Sequence, residues 1–197
     1  MNAARILEEE HKVILTVLHV LARVIESTRR EQRIPESDAR DLVAFFHDHA
    51  DRCHHSKEEE ALFPAMEVAG FPSEGGPTAV MRMEHAMGRT LVTAMAGALA
   101  QKSVGAFCEY GEEFHALLSQ HIKKEDHCLF PMVCSAMAEA QCCTLFDDFK
   151  RIEKDAGGTR HRAFLAAARS LCVRYGVPPL GADSLPEIQK TFLSDPA

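Results

Sequence analysis

One eleven-residue segment occurs twice in this chain, and it constrains the fold more than any other feature. The copies are HHSKEEEALFP, which starts at residue 54, and HIKKEDHCLFP, which starts at residue 121. When their Leu-Phe-Pro ends are aligned, His54 matches His121 and Glu58 matches Glu125. A histidine and a carboxylate four residues apart lie on the same face of a helix, about one turn from each other.

Two such pairs, each on its own helix, bring two imidazoles and two carboxylates into a shared interior. Helical bundles build dinuclear metal sites in this way. The repeat therefore predicts a bundle in which two of the helices face each other across a pair of metal ions.

The bulk composition is that of a soluble globular protein. At 197 residues, the chain has the length of one domain with a full core. Its 46% hydrophobic and 26% charged residues are ordinary for this class. The net charge of -7 and the lack of a Lys/Arg block argue against nucleic-acid binding, which needs a basic face. The apolar stretches are much shorter than the ~18 residues that span a bilayer, so no membrane segment is expected.

The N-terminal segment and the cysteines indicate a cytoplasmic protein. Three consecutive glutamates, Glu8 to Glu10, come before any long apolar stretch, which is atypical of a signal peptide. The seven cysteines are then expected to be reduced thiols, because disulfides are rare in the cytosol. No CxxC pair occurs, so the cysteines do not predict a thiolate metal site.

Apolar periodicity predicts four long helices separated by short breaks. Their approximate limits are Ala3–Arg30, Glu36–Val68, Pro77–Lys102 and Ser103–Ala138. Pro35 is expected near the first turn of the second helix, and Ser103 is expected to cap the fourth. Pro64 and Pro131 fall inside helical patterns, where each is expected to produce a kink or a terminal turn.

Long amphipathic helices with short connections favour an antiparallel, up-down-up-down four-helix bundle. We therefore expect an all-α fold, with the bundle formed by residues 1–155. Further helical patterns lie around residues 144–154 and 161–175. Residues 156–197 are expected to form a C-terminal helix and, after Pro179, an extended tail, packed on the bundle.

Each long helix offers candidate metal ligands. These are His11 on the first helix, His54 and Glu58 on the second, His85 on the third, and His121 and Glu125 on the fourth. Imidazole binds iron, zinc, copper and nickel, whereas carboxylates favour harder ions. Four imidazoles and two carboxylates therefore suit a pair of iron ions best, since structural zinc sites more often use thiolates.

Other assignments of these residues are also open. His55 and Glu59 form a rival pair at the same spacing, turned by about 100° from the repeated pair. Taken singly, His11 fits a surface histidine beside three glutamates, and His85 fits a hydrogen-bonded histidine in the core. The set as a whole favours a metal site.

Several segments, in order along the chain, resemble the hemerythrin-like (HHE cation-binding) family. The matching segments are CHHSKEEEALFP from residue 53, GGP from residue 75, VMRMEH from residue 80, GR from residue 88, HIKKED from residue 121 and LFPM from residue 129. The first is similar to the family's second-helix signature, the next three to its third-helix segment, and the last two to its fourth helix. The resemblance extends over about residues 5–155 and implies a four-helix bundle around an oxygen-bridged (oxo or hydroxo) non-heme di-iron centre.

Two departures from the oxygen-carrying hemerythrins bear on function. Those proteins have HxxxH on the third helix, whereas here His85 is followed four residues later by Arg89. Their fourth helix has HxxxxD, a spacing that Asp126 would satisfy from His121, whereas the internal repeat favours Glu125. One imidazole fewer would stabilise the ferric state through harder, anionic ligands, which disfavours reversible oxygen carriage.

These observations predict a metal-binding protein whose partner is a small molecule. The first hypothesis is a cytoplasmic di-iron protein that binds or senses O2, NO or iron itself. The alternative is a di-iron enzyme that acts on peroxide or NO, or an iron donor in iron–sulfur cluster repair, because a missing third-helix ligand would leave a coordination position open. A plain helical bundle that serves as an interaction module, with structural histidines, is the third hypothesis.

Overall fold

The computed structural model of the chain describes residues 3–136, 139–155 and 158–178. Throughout these ranges the regular secondary structure is helical, and they contain no strand. The predicted all-α fold is confirmed. Among the same residues, no helix combines the length and the hydropathy that a bilayer span requires.

Six helices make up the described part of the chain. We label them α1 (Ala3–Glu31), α2 (residues 36–68), α3 (Pro77–Ala100), α4 (residues 104–136), α5 (Glu139–Asp155) and α6 (Gly158–Tyr175). The first four follow the predicted long helices to within a few residues. The predicted end of the fourth helix at Ala138 and the extended tail predicted after Pro179 lie outside the described residues.

The apolar residues of α1 account for its length and its position in the bundle. Ile14, Val17, Leu18, Leu21 and Val24 recur at spacings of three and four residues and have no exposed surface. They form one continuous apolar stripe along the helix. α1 therefore packs lengthwise in the core, mainly against α4.

The chain stays helical through Pro64 and Pro131, where a kink or a terminal turn was expected. A π-helical stretch comes directly before each proline segment, at Glu58–Leu62 in α2 and at Glu125–Leu129 in α4. A proline cannot donate to the carbonyl one turn back and crowds it, and a wider turn at that place relieves both problems. A third π-helical stretch in α2 spans Phe45–His55.

The helix ends differ in detail from the predicted ones. Pro35 occupies the N-cap of α2 rather than its first turn. Ser103 is at the N-cap of α4 as predicted, but its hydroxyl makes no capping hydrogen bond, and its carbonyl accepts the Phe107 N–H at 3.0 Å. Gly70 follows the end of α2 with a φ of 102°, a left-handed conformation that favours glycine.

Two apolar clusters fill the bundle, one on each side of a polar layer. On α1 the first cluster contains residues up to Leu7 and the second begins at Val13. On α3 the corresponding limits are Met81 and Val92. The polar layer occupies the interval between these limits on each helix, so it is closed off by apolar side chains above and below.

The last two described helices pack on different parts of the bundle. α5 contributes Leu145, Phe149 and Ile152 to the apolar cluster near the N-terminus of α1. α6 packs along α1 within the other cluster, and its Tyr175 donates a hydrogen bond to Asp38 of α2 at 2.6 Å. The predicted helical patterns near the C-terminus therefore correspond to helices that belong to the core. The up-and-down order of the first four helices stays a prediction.

Candidate metal centre

All six predicted ligand residues lie in the polar layer that crosses the bundle. They are His11, His54, Glu58, His85, His121 and Glu125, and none is more than 1% exposed. α1 and α3 each contribute one imidazole, whereas α2 and α4 each contribute an imidazole and a carboxylate one turn apart. The two copies of the sequence repeat therefore meet in the interior.

The possible ligand atoms form two groups, and in each group they lie within 4.8 Å of one another. The His11 cluster consists of His11, His54, Glu58 and Glu125. The His85 cluster consists of His55, Glu58, His85 and His121. One carboxylate, that of Glu58, thus belongs to both clusters, and all members are buried.

The imidazole Nε2 atoms approach each other in pairs inside the layer. Those of His11 and His54 are 3.0 Å apart, and those of His85 and His121 are also 3.0 Å apart. Two nitrogens that each lie ~2.1 Å from one ion, at a right angle, would be about 3.0 Å apart. The pairs therefore have the spacing of neighbouring ligands on a metal ion.

The carboxylate of Glu58 stands between the two clusters. Its Oε1 lies 3.6 Å from His54 Nε2, and its Oε2 lies 3.4 Å from His85 Nε2. One oxygen thus faces each cluster, which is the arrangement of a bridging carboxylate.

Glu125 repeats this arrangement from the opposite helix. Its Oε2 lies 3.3 Å from His11 Nε2, and its Oε1 lies 3.2 Å from His121 Nε2. One of its oxygens thus faces the His11 cluster, and the other faces His121 of the His85 cluster. Both carboxylates of the sequence repeat therefore connect the two halves of the layer.

Each paired imidazole is held from behind by a carboxylate at its Nδ1 atom. The pairs are His11 with Asp126 (2.7 Å), His54 with Glu10 (2.9 Å), His85 with Glu59 (2.7 Å) and His121 with Glu84 (2.9 Å). An imidazole whose Nδ1–H donates to a carboxylate keeps its Nε2 lone pair for a metal ion, with the ring orientation fixed. Glu10 and Glu84 were not among the predicted site residues, although each directly precedes a predicted ligand histidine.

Lys57 and Lys124 occupy equivalent positions in the internal repeat, and both contact carboxylates that hold imidazoles. Each directly precedes a carboxylate of the repeat, and their ammonium groups form ion pairs with Glu10 and Glu84, respectively. Burial lowers the pKa of Lys57, but the neighbouring carboxylates raise it by more, so the ammonium stays charged. The half of the layer built by α1 and α2 is therefore closely matched by the half built by α3 and α4.

His55, which the sequence offered as an alternative to His54, breaks this symmetry. The structure places both side chains in the layer, one in each cluster. Its Nδ1 lies 3.3 Å from Asp51, so the predicted pairing with Glu59 is not formed. His54 and His55 end a π-helical stretch, whose turns are wider than those of an α-helix. An aspartate four residues before His55 was the available sequence signal.

The two alternative carboxylates lie outside the clusters. Glu59 and Asp126 are 26% and 27% exposed and bind the outer nitrogens of His85 and His11. Their sequence neighbours in the repeat have no exposed surface and face inward. The internal repeat, rather than the HxxxxD spacing, thus identifies the carboxylates of the interior.

Two imidazoles of the layer hold protons beside the carboxylates when no cation is present. Burial lowers the pKa of His11, but Asp126 and Glu125 raise it to about 10. Burial also lowers the pKa of His85, whereas the two carboxylates beside it raise it to about 9. For Glu125, burial raises the pKa and the facing imidazoles lower it well below its usual range. A metal ion would therefore displace protons from the imidazoles as it binds.

His55 differs in its charge as well. Burial and the facing His85 lower the pKa of His55 well below its usual range, so its imidazole is neutral. Its Nε2 is buried and has no hydrogen-bond partner among the described residues. A neutral, unpaired Nε2 is the form in which histidine binds a metal ion.

A cavity of about 190 Å³ adjoins the His85 cluster. The three imidazoles of that cluster contribute to its lining, and the apolar part of its wall comes mainly from Phe46, Val92, Phe114 and Leu118. Arg89 also lines the cavity, and its guanidinium donates to Asp51 at 2.8 Å and to Glu59 at 2.9 Å. Arg89 stands at the position where oxygen-carrying hemerythrins have a second histidine on the third helix. Its side chain is held by two carboxylates that also contact imidazoles of the cluster.

The donor set fits a pair of transition-metal ions. All four oxygens of Glu58 and Glu125 are buried, and none takes part in a well-oriented hydrogen bond within the described part of the chain. Buried anions without such partners are destabilising, and a bound cation would compensate them. Five imidazoles together with carboxylates match iron better than magnesium or calcium, which prefer oxygen ligands alone.

Comparison with protein-family models matches residues 2–133 to one family, described as the hemerythrin HHE cation binding domain. This range contains every residue of both clusters and every carboxylate that anchors an imidazole. No curated protein and no solved structure shows a significant match to the chain. The family match spans more than half of the chain and confirms the resemblance seen in the sequence. The chain therefore belongs to the hemerythrin family of HHE cation-binding domains, and metal-ion binding is the property that this membership establishes.

Proposed function

We propose that the polar layer binds two iron ions and that the protein binds or senses a small uncharged ligand, O2 or NO, at the His85 cluster. The observation that carries this proposal is the pair of buried carboxylates, Glu58 and Glu125. Their oxygens face imidazoles of both clusters and lack hydrogen-bond partners among the described residues. Two cations between these groups would satisfy charges that are otherwise destabilising in the interior.

The residues of the layer would hold the two ions in unequal positions. The His11 cluster offers two imidazoles and the His85 cluster offers three, and the two carboxylates lie between them. The carboxylates behind the rings fix their orientation and increase the basicity of Nε2. Bound here, two iron ions would supply electrons and a coordination position for a diatomic ligand.

The cavity beside the His85 cluster supports ligand binding on that side. Phe46, Phe114 and Leu118 give it an apolar wall, which favours small uncharged molecules over hydrated ions. The Arg89 guanidinium is paired with two carboxylates, so its charge is balanced at the cavity. A neutral diatomic molecule can therefore enter without disturbing the ion pairs of Arg89.

Catalysis on peroxide is the second candidate, and the size of the cavity favours it. Its volume of about 190 Å³ is well above the space that one water molecule needs. This is more than a diatomic ligand needs, and it leaves room for hydrogen peroxide together with a proton-carrying water.

Metal analysis and absorption spectroscopy test the iron proposal. Protein purified after growth on iron should contain about two iron ions per chain. The oxidised protein should absorb in the near ultraviolet, as oxygen-bridged ferric pairs do, and reduction should remove this absorption. Well under one iron per chain, without the absorption, would reject the proposal.

Ligand titration then separates the two candidate functions. NO added to the reduced protein should change its visible spectrum in proportion to the occupied sites. Steady-state consumption of hydrogen peroxide should exceed that of an equal concentration of free iron if the protein is an enzyme. A rate equal to that of free iron removes the enzyme candidate and leaves binding or sensing.

A further inference from the structure

Lys57 is a lysine with no exposed surface, and it lies immediately behind the His11 cluster. Its ammonium group pairs with Glu10, whose other oxygen accepts the His54 Nδ1–H at 2.9 Å. Glu10 is itself only 3% exposed. A buried lysine is costly unless it is paired, so the position of Lys57 depends on its carboxylate partners.

The second partner of Lys57 comes from a helix outside the matched family domain. The ammonium lies 3.3 Å from Oε2 of Glu153, which is 6% exposed. Glu153 belongs to α5, which begins after residue 133, where the family match ends. A chain of charged contacts therefore runs from α5 through Lys57 and Glu10 to a histidine of the His11 cluster.

Lys124, the equivalent lysine in the other half of the layer, is partly exposed to solvent. Lys124 pairs with Glu84, which holds His121, but its side chain is 42% exposed. Solvent can stabilise that ammonium, whereas Lys57 has no exposed surface. The internal repeat thus provides a matched comparison, and α5 accounts for the difference between its halves.

Apolar contacts also pack α5 against the side of the bundle where the His11 cluster lies. Its Phe149 and Ile152 are buried in the apolar cluster that also contains Phe63 and Phe130. The Phe130 ring stacks on His11, with ring centroids 5.4 Å apart. Glu153 is therefore delivered by a helix that packs against the wall of the site, rather than by a mobile surface side chain.

We propose that α5 is a functional part of the metal centre and that Glu153 is a positioning residue for it. Glu153 shares the charge of Lys57, and Lys57 in turn keeps the Glu10 carboxylate on the Nδ1 atom of His54. This inference rests on the proposed metal site, and it adds a residue from outside the family domain to that site. Its effect is confined to the His11 cluster, because the His85 cluster has its own lysine and carboxylate.

Titration of the metal-free full-length protein with cobalt(II) tests this inference. The two positions offer two and three imidazoles, so cobalt bound at each should give a distinct visible spectrum. Glu153→Gln should lower the affinity of the His11 position by about tenfold, the lower end of the range for partners behind a ligand, and leave the other position unchanged. Asp148→Asn, a matched change at a more exposed carboxylate of the same helix, should alter neither.

A triple variant separates positioning from packing. In Lys57→Met with Glu153→Leu and Glu10→Gln, uncharged side chains replace the whole buried charged group, which preserves or increases stability in comparable cases. We expect thermal unfolding of the metal-free protein to be maintained, but cobalt affinity at the His11 position to stay reduced. Wild-type affinity at both positions in this variant, or in Glu153→Gln, would overturn the inference. Wild-type protein that binds no cobalt would instead overturn the proposed metal site itself, so the two failures are distinguishable.

Discussion

The imidazole rings of His55 and His85 are stacked, with centroids 3.8 Å apart and planes inclined by 14°. By the internal repeat, the position of His55 corresponds to Ile122, which is buried but has no ligand atom. The extra imidazole lies in the half of the layer that adjoins the cavity. The two clusters therefore differ in their ligand sets, and His55 is the main cause.

The first prediction is that His55→Phe selectively weakens the metal position at the His85 cluster. Phenylalanine keeps the stacking on His85 but has no nitrogen ligand. Affinity at that position should fall by at least about tenfold, since loss of a partner behind a ligand already costs 10–100-fold. Titration with cobalt(II), followed by its visible spectrum, measures the two positions separately.

His127→Phe serves as the control for this substitution, because His127 is exposed and belongs to neither cluster. It should leave both positions at wild-type affinity. If His55→Phe also binds two ions as tightly as the wild type, then His55 is not a ligand and its role is limited to the cavity.

Site residues could be predicted where the pattern that identifies them lies within a few residues of the chain. Glu58 and Glu125 were predicted because a four-residue spacing, repeated before the same Leu-Phe-Pro, is visible along the chain. The contact of Glu10 with His54 joins residues 44 positions apart, so a local pattern gives no sign of it. The position of His55 beside His54 in the layer could not be predicted, because no local pattern in the sequence indicates the π-helical stretch.

The fold was predictable for a related reason. Residues such as Leu18 and Leu21 follow the helical period over the full length of α1, so helix length and core face could be read from the sequence. The contact of Glu153 with Lys57 depends on how α5 packs, which periodicity does not specify. The sequence therefore predicted the inner carboxylates of the polar layer, but not the outer carboxylates Glu10 and Glu153.

The second prediction concerns the carboxylates of the repeat. Glu58→Gln and Glu125→Gln keep the size of the side chain but remove the charge that offsets a ferric ion, so each should lose most of its iron. Glu59→Gln and Asp126→Asn keep an oxygen that accepts the imidazole Nδ1–H, so each should stay loaded when iron is in excess. Iron content per chain after gel filtration checks all four.

An inverted result on one helix would contradict this assignment there. If Glu59→Gln empties the site while Glu58→Gln stays loaded, the carboxylate that binds metal on α2 is the one that now contacts His85 Nδ1. The same comparison of Asp126→Asn with Glu125→Gln applies to α4. The fold and the metal-binding property of the family would be unaffected by either outcome.

The third prediction is that metal removal lowers thermal stability. Ions that bind only the folded state stabilise it, by about 2.7 kcal/mol per site at a hundredfold excess over Kd. For a chain of 197 residues, this corresponds to a rise in Tm of about 5–10 °C per ion. Calorimetry with and without a chelator measures the difference. An unchanged Tm would favour the helical bundle with purely structural histidines.

The fourth prediction tests the cavity as the route of the ligand. Gly88 lines the cavity, and a Cβ built there would lie 3.7 Å from the Phe114 ring, in ordinary contact. Gly88→Leu should therefore fill the space without displacing the clusters, so iron content is kept and NO binding slows by at least about tenfold. Gly97→Leu, on the same helix, is the control, because a Cβ there meets no atom within 4 Å. Equal NO association rates in both variants would show that ligands arrive by another path.

The fifth prediction concerns the close packing of α1 against α4. A Cβ built on Gly111 would lie 2.8 Å from Cδ1 of Ile25 and 3.7 Å from Cδ1 of Leu21, and both neighbours are buried. Gly111→Val should therefore destabilise the metal-free protein by about 1–3 kcal/mol, as overpacking of a core does. Gly97→Ala is the matched control, since it has open space and should stabilise α3 by about 0.5–1 kcal/mol through its higher helix propensity. Urea unfolding of both variants gives the free energies. A Gly111→Val protein as stable as the wild type would mean that the two helices lie farther apart than a glycine contact requires.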